Sequence, residues 1–202
     1  MHTNTKVSVL IPVYNEEKNI RACIESCKGL TDEIVVVDGS STDRTAKIAK
    51  EMGARVIKAD NPRIFHINKQ KAIDACQGEW ILQLDADERV TPELAGEIRR
   101  VTGMDQSELR EYQRNLPEMD LFLRHEKVGG IRHENDKTDH PIEAFFIPRL
   151  NYFLGTYLRH GGVYPDGVIR LFRKGKAHLP CHDVHELMKV DGRVGWLQYP
   201  LL

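Results

Sequence analysis

The sequence holds little cysteine, few aromatic residues and no surplus of either charge. Its four cysteines, Cys23, Cys27, Cys76 and Cys181, form no C-x-x-C pair and are too few for a disulfide framework, so a reduced, cytoplasmic compartment is expected. Lys plus Arg number 29 against 30 Asp plus Glu in 202 residues. That balance argues against a nucleic-acid binder, whose affinity rests on excess positive charge. No run approaches the roughly 20 apolar residues of a membrane span, and Met1 to Lys6 opens no signal peptide. With 41% hydrophobic and 29% charged residues, disorder, collagen and coiled coil are excluded. The length suits a single domain with a full core.

What is present is an alternation of strands and helices. Val7–Val13 and Glu33–Asp38 are short, β-branched and apolar on both faces, the pattern of buried parallel strands. Asn15 with Glu16 and Glu17 is expected to cap a helix whose stripe is Ile20, Cys23, Ile24 and Cys27; the two cysteines are expected to be buried small hydrophobes. Gly39–Asp43 predicts a turn and cap before a helix that stops at Gly53. Ala54–Ile57 is a third strand, Lys69–Cys76 a helix ending at Gly78, and Trp80–Leu84 a fourth strand. Thr91-Pro92-Glu93 starts a helix with the stripe Leu94, Ile98 and Val101. This is a wound α/β sheet, in which ligands bind beyond the carboxyl ends of the strands. From Thr102 to Pro141 periodicity is weak, with one helix expected around Ser107–Asn115. Val168–Phe172 is a further strand.

Asp85-Ala86-Asp87 follows directly from the fourth strand. Two carboxylates at i and i+2 in a loop can converge on Mg²⁺ or Mn²⁺, which favour oxygen ligands and are usually held by one or two carboxylates plus substrate phosphates. Asp38 ends the second strand, so both acidic positions fall on the ligand-binding edge.

With these residues in order, the chain resembles the family 2 glycosyltransferases of the GT-A fold. Ile11-Pro12-Val13-Tyr14-Asn15-Glu16 is similar to their opening strand and loop, Val37–Asp43 to their second signature, and Leu84–Asp87 to their D-x-D. Arg149–Gly155, Gly161–Asp166, Arg170–Phe172 and Val184-His185-Glu186 resemble a bacterial branch that includes lipopolysaccharide-core glucosyltransferases. The resemblance implies one catalytic domain over 1–202: a nucleotide-binding half at 1–101, a variable excursion at 102–143 and an acceptor-side half at 144–202. It implies that Pro12, Tyr14 and Glu16 line the nucleotide pocket, that Asp38 hydrogen-bonds the base and that Asp85 meets the ribose or metal. Asp87 and His185 would hold Mg²⁺ or Mn²⁺ against the diphosphate of a nucleotide sugar, UDP being the commonest donor. The chain ends at Pro200-Leu201-Leu202 where relatives usually continue with a helical segment, which suggests a trimmed or minimal core.

Inverting transfer needs a base beside the acceptor hydroxyl. Asp166 and Glu186 compete for that role, with Asp166 favoured. Six cations between Ile147 and Lys176 (Arg149, Arg159, Arg170, Arg173, Lys174, Lys176) face one acid, Asp166, and predict a local positive field, with Arg170 as the phosphate or acceptor contact. Tyr152, Phe153, Leu154, Tyr157 and Leu158 are expected to pack as core; exposed, they would suit a lipid-linked acceptor at the inner leaflet of a membrane. The function expected is transfer of a sugar to a cell-envelope glycan or lipid-linked acceptor. Two other readings stand beside it. A sugar nucleotidyltransferase would carry a Gly-rich loop where Tyr14–Glu17 stands, and a non-catalytic sugar-nucleotide-binding subunit would not need Asp38, Asp85, Asp87, Asp166 and His185 together. A phosphatase of the D-x-D type would place that motif after the first strand.

Overall fold

The computed structural model describes residues 6–31, 33–61, 66–129, 140–181 and 187–202. In chain order the first half contains β1 (Val7–Val13), α1 (Ile20–Ser26), β2 (Glu33–Asp38), α2 (Thr45–Glu51), β3 (Arg55–Lys58), α3 (His66–Ala75), β4 (Trp80–Gln83) and α4 (Pro92–Val101). Then follow α5 (Gln106–Arg114), α6 (Met119–Gly129), β5 (Ile142–Ile147), β6 (Tyr152–Phe153), β7 (Thr156–Tyr157), β8 (Val168–Arg173), β9 (Ala177–His178), β10 (Lys189–Val190) and β11 (Arg193–Trp196).

Seven strands form one sheet in the order β11-β5-β8-β4-β1-β2-β3. It is mostly parallel; β8 alone runs against both its neighbours, β4 and β5. The order β3-β2-β1-β4 reverses direction between β1 and β4, and that switch opens a crevice at the carboxyl ends of the strands. The register Val13↔Asp38 and Leu10↔Gln83 brings the ends of β1, β2 and β4 to the same edge. The sheet is fully covered there because β1 reads apolar on both faces: Val7, Val9 and Ile11 pack with Ile20, Ile24, Leu94 and Ile98, while Leu10 packs with Ala72, Ile73 and Phe172 on the other side. Each such buried aliphatic contributes about 1.5–3 kcal/mol. Cys23 and Cys27 are fully buried and reduced, as their stripe predicted. Gly78 is required by a close approach: a Cβ there would lie 2.6 Å from Ser8 Oγ and 2.7 Å from Ser8 N.

Thr91 caps α4 as expected, accepting from Leu94 N at 3.1 Å. Arg44 stands at the N-cap of α2, and Asp43 just before it accepts from Thr45 N at 2.9 Å. Although burial would raise its pKa, the bonds from Thr45 and Glu17 hold the Asp43 carboxyl below the usual range. Asn15 is not the cap of α1, which begins at Ile20 after Asn19 with no acid in its first turn. Asn15 instead adopts φ 55 and accepts from Thr42 N at 2.8 Å, so it ties the loop after β1 to the loop after β2. Weak periodicity also hid α6, whose Phe122 stacks on Trp196 of β11 with centroids 4.5 Å apart. No helix among the described residues is long and apolar enough to cross a membrane.

Candidate active site

Two cavities meet at the loop that follows β4. The first, of 380 Å³, is lined by Pro12, Val13, Tyr14 and Glu16 from β1 and its loop, by Asn61, Asn68 and Lys69, and by Asp85, Ala86 and Asp87. The second, of 310 Å³, shares Asp85 and Asp87 and adds Glu88, Arg149, Asn151, Tyr152 and the terminal Leu201 and Leu202. Five residues expected at the donor site (Pro12, Tyr14, Glu16, Asp85 and Asp87) thus line one space. Asp38 ends β2 beside it, 2% exposed, with Oδ2 receiving Ser41 N at 3.3 Å and Oδ1 without a hydrogen-bond partner among the described residues. A buried carboxylate oxygen left open carries a desolvation cost that a donor group on a ligand would relieve. Gly39, next in the chain, faces two cavity-lining side chains: a Cβ there would stand 3.3 Å from Asn68 Nδ2 and 3.6 Å from Asn61 Oδ1.

The two carboxylates of the D-x-D differ sharply. Asp85 Oδ1 accepts from Lys69 Nζ at 2.9 Å and its Oδ2 from Arg170 at 2.5 Å. Arg170 also bonds Glu88 Oε1 at 2.6 Å, and Glu88 Oε2 accepts from the Asp85 backbone N–H at 2.9 Å. The Gln83 amide, with its oxygen turned to the cations, accepts from Arg170 at 2.5 Å and Lys69 at 3.2 Å. Burial alone would raise the pKa of Asp85, but Arg170 and then Lys69 outweigh it and hold the carboxyl well below the usual range. Burial pushes Glu88 up and Lys69 down, Arg170 acting on both. Asp87, by contrast, is exposed and engaged by no hydrogen bond or ion pair among the described residues. It is the carboxylate at the junction that remains open to a ligand.

A hard dication fits this donor set in a limited sense. No group of three or more His, Cys, Asp or Glu able to hold a metal occurs among the described residues, so an all-protein cage is absent there. One free carboxylate beside a cavity matches the way Mg²⁺ and Mn²⁺ sit, with most ligands supplied by phosphate and water. His185 and Glu186, expected as metal ligand and alternative base, lie outside the described residues, as does His182.

On the second cavity's far side stands Asp166, at φ 40 after the cis Tyr164–Pro165 bond. Its Oδ2 accepts from Asn151 Nδ2 at 2.7 Å and pairs with Arg149 at 2.8 Å. Asn151 and Arg149 both line the cavity, so Asp166 is one side chain away from it. The predicted positive field is largely cancelled from within. Arg149 pairs with Asp166, Arg170 with Asp85 and Glu88, Arg173 with Glu79 and Glu143, and Lys176 with Asp191; Lys174 donates to the Cys76 carbonyl at 2.5 Å. Arg170 itself is buried and also lines a third cavity of 180 Å³ with Lys69, Gln83 and apolar residues. The core expectation for Tyr152, Phe153, Leu154 and Tyr157 is overturned: all four are exposed, on a two-stranded hairpin that pairs only with itself.

Residues 8–102 match the family model described as Glycosyl transferase family 2. The match covers just under half of the chain. Its curated relatives carry the same word: an uncharacterized glycosyltransferase of Rickettsia typhi is 40% identical over 97 residues, 48% of this chain and 32% of its own. EpsH of Bacillus subtilis, named as a glycosyltransferase, is 33% identical over 161 residues, 73% of this chain and 44% of its own. The chain spans less than half the length of these relatives. Among solved structures, TarS of S. aureus (residues 1–349) aligns over 96% of this chain and 58% of its own, with TM-score 0.55 and 16% identity, a likeness of fold. Within the matched stretch, the motifs do not single out Lys69 and Glu88, which the structure places around Asp85. Their signal was faint: Lys69 lies on the helix before the D-x-D strand, and Glu88 directly continues the acidic run.

Proposed function

We propose that this protein is an inverting glycosyltransferase that moves a sugar from a nucleotide-diphosphate donor, UDP-linked in the favoured case, to a cell-envelope glycan or lipid-linked acceptor. The observation that carries the reading is the pair of cavities sharing Asp85 and Asp87, one lined by Pro12, Tyr14 and Glu16, the other backed by Asp166. In this assignment the first cavity takes the nucleotide. The open Oδ1 of Asp38 accepts from the base, and Pro12, Tyr14 and Glu16 form the wall. Asp87 would hold Mg²⁺ or Mn²⁺ together with His185, and that ion would neutralise charge on the departing diphosphate. Asp85 is clamped by Lys69 and Arg170, so its role is to hold the loop and present its remaining face to the ribose.

The acceptor hydroxyl enters through the second cavity. Asp166 takes its proton as the oxygen attacks the anomeric carbon. The bond from that carbon to the diphosphate oxygen breaks, and the nucleoside diphosphate leaves with the electron pair. A single displacement by one base inverts the anomeric centre. Arg149 and Asn151 fix the Asp166 carboxylate from one side and leave its other oxygen to the acceptor. The motifs from Arg149 to Phe172 support the lipopolysaccharide-core branch and an acceptor held at the inner face of a membrane.

The test is release of nucleoside diphosphate from a panel of nucleotide sugars, with Mn²⁺ and with chelator. Release from one donor, dependent on Mn²⁺ and lost in Asp166→Asn, is expected. Binding without turnover for any donor or acceptor would favour the sugar-nucleotide-binding subunit.

A further inference from the structure

The β6–β7 hairpin breaks the rules that govern the rest of the chain. It is a two-residue turn, Leu154-Gly155, with both residues at positive φ, 46 and 87. Such turns favour Asn-Gly, because a branched side chain is strained in the left-handed region. Here Leu154 holds that position while 87% exposed, so neither backbone preference nor burial in the fold explains it. Its neighbours repeat the anomaly: Tyr152 is 65% and Phe153 59% exposed. The hairpin is nevertheless built firmly. Tyr152 and Tyr157 meet edge to face with centroids 5.2 Å apart, and Leu158 N donates to the Asn151 carbonyl at 2.9 Å across its base. A local violation with no return inside the fold marks a surface that is satisfied by something outside it.

Charge decides what that is. From Asn151 to Pro165 the chain carries no acid, while Arg159 and His160, both exposed, follow the second strand. The other cations of this region are engaged inside the fold, while Arg159, exposed and near Tyr164, is in no ion pair among the described residues. Apolar side chains at a protruding tip, tyrosines just behind them and a cation behind those are the order in which a bilayer presents hydrocarbon, interface and anionic headgroups.

We propose that the β6–β7 hairpin is a membrane-docking wedge that sets Phe153 and Leu154 into the interface of an anionic bilayer, with Arg159 at the headgroups. Since Tyr152 also lines the cavity that holds Asp87, docking the tip brings that cavity's mouth to the lipid surface. What the docking delivers rests on the glycosyltransferase reading; the binding itself does not.

The experiment is sedimentation of the 202-residue chain with phosphatidylcholine vesicles and with equimolar phosphatidylcholine–phosphatidylglycerol vesicles. The chain is expected to bind the anionic vesicles and to bind the neutral ones more weakly. Leu154→Asn restores the preferred turn residue, so the fold is kept, and partitioning should fall about tenfold or more. The double variant Phe153→Ser/Leu154→Asn should lose about a hundredfold. Arg159→Glu should weaken binding to anionic vesicles only. Wild-type chain that ignores anionic vesicles, or a Leu154→Asn variant that binds them equally well, overturns the proposal. So does a dimer in light scattering that Leu154→Asn dissolves, since the tip would then cover a second copy. Calorimetric binding of UDP with Mn²⁺, run on the same variants, separates failure of the wedge from failure of the donor site.

Discussion

Between Val7 and Val101, Asp87 and one oxygen of Asp38 are left unpartnered at the edge of the sheet among the described residues, whereas from Arg149 to Lys176 most described cations are held inside the fold. Asp87 pairs with nothing among the described residues and Asp38 keeps one buried oxygen unpartnered. Across the junction, Arg149, Arg170, Arg173 and Lys176 each meet a carboxylate, and the exposed side chains include the apolar hairpin of Tyr152, Phe153 and Leu154. The parallel strands need their polar ends free because ligands bind there. Arg170 on β8, the strand that runs against both its neighbours, ties the two halves through Asp85 and Glu88. An acid is left exposed on one side, and cations are spent in ion pairs on the other.

The largest effect that would break this comparison is on turnover. Asp166→Asn keeps both its contacts to Arg149 and Asn151 in reach but cannot take a proton, so the rate should fall by about 10²–10⁴ with donor affinity unchanged. A near-native rate in a steady-state assay moves the base elsewhere. Next, Asp87→Ala should reduce Mn²⁺-dependent UDP affinity by about a hundredfold while leaving the melting temperature alone, because Asp87 has no partner among the described residues. A melting temperature that falls would show a structural role.

Arg170→Met attacks the locking side. It leaves Glu88 and Asp85 without their shared cation, and breaking a buried pair costs about 3–5 kcal/mol, to be read by denaturant unfolding. The same variant tests a pH effect. Asp85 has a folded pKa below its unfolded value of about 3.9, so its stabilisation is present above that value and is lost as pH falls through and below it. Glu88, raised by burial, works in the opposite sense and offsets part of it. Wild-type stability should drop in acid more steeply than that of Arg170→Met. Last, Lys176→Ala removes an exposed pair with Asp191 and should cost less than about 1 kcal/mol; a larger loss would blur the distinction between tie and surface charge.

The wound half was legible because its signals are local. β1 and β2 are continuous apolar runs, and Thr91-Pro92 marks a helix start with its own cap. β5, β9, β10 and β11 were not, since Glu143 interrupts the apolar run of Ile142–Ile147 and is buried there beside Arg173, and two-residue strands exist only through their partners. β11 is held by contacts 83 residues away, where the Gln113 amide donates to the Trp196 carbonyl and accepts its N–H, each at 2.8 Å. At the site, five residues that line one cavity follow from motif order, yet the clamp on Asp85 does not. Lys69 and Arg170 approach it across 16 and 85 residues of sequence, a distance over which no spacing rule operates. The exposed hairpin was misjudged for a related reason: Tyr152–Leu154 reads as core by composition, and only a tertiary placement puts it outside.

The proposal rests on one junction, where the exposed Asp87 carboxylate lines a cavity of 380 Å³. Isothermal titration of UDP into the chain, with Mn²⁺ and then with chelator, measures it directly. Binding in the presence of Mn²⁺ that disappears with chelator, and that is strongly weakened in Asp87→Ala with Mn²⁺, is the expected result. UDP binding of equal strength in all of these, or none in any, would contradict it.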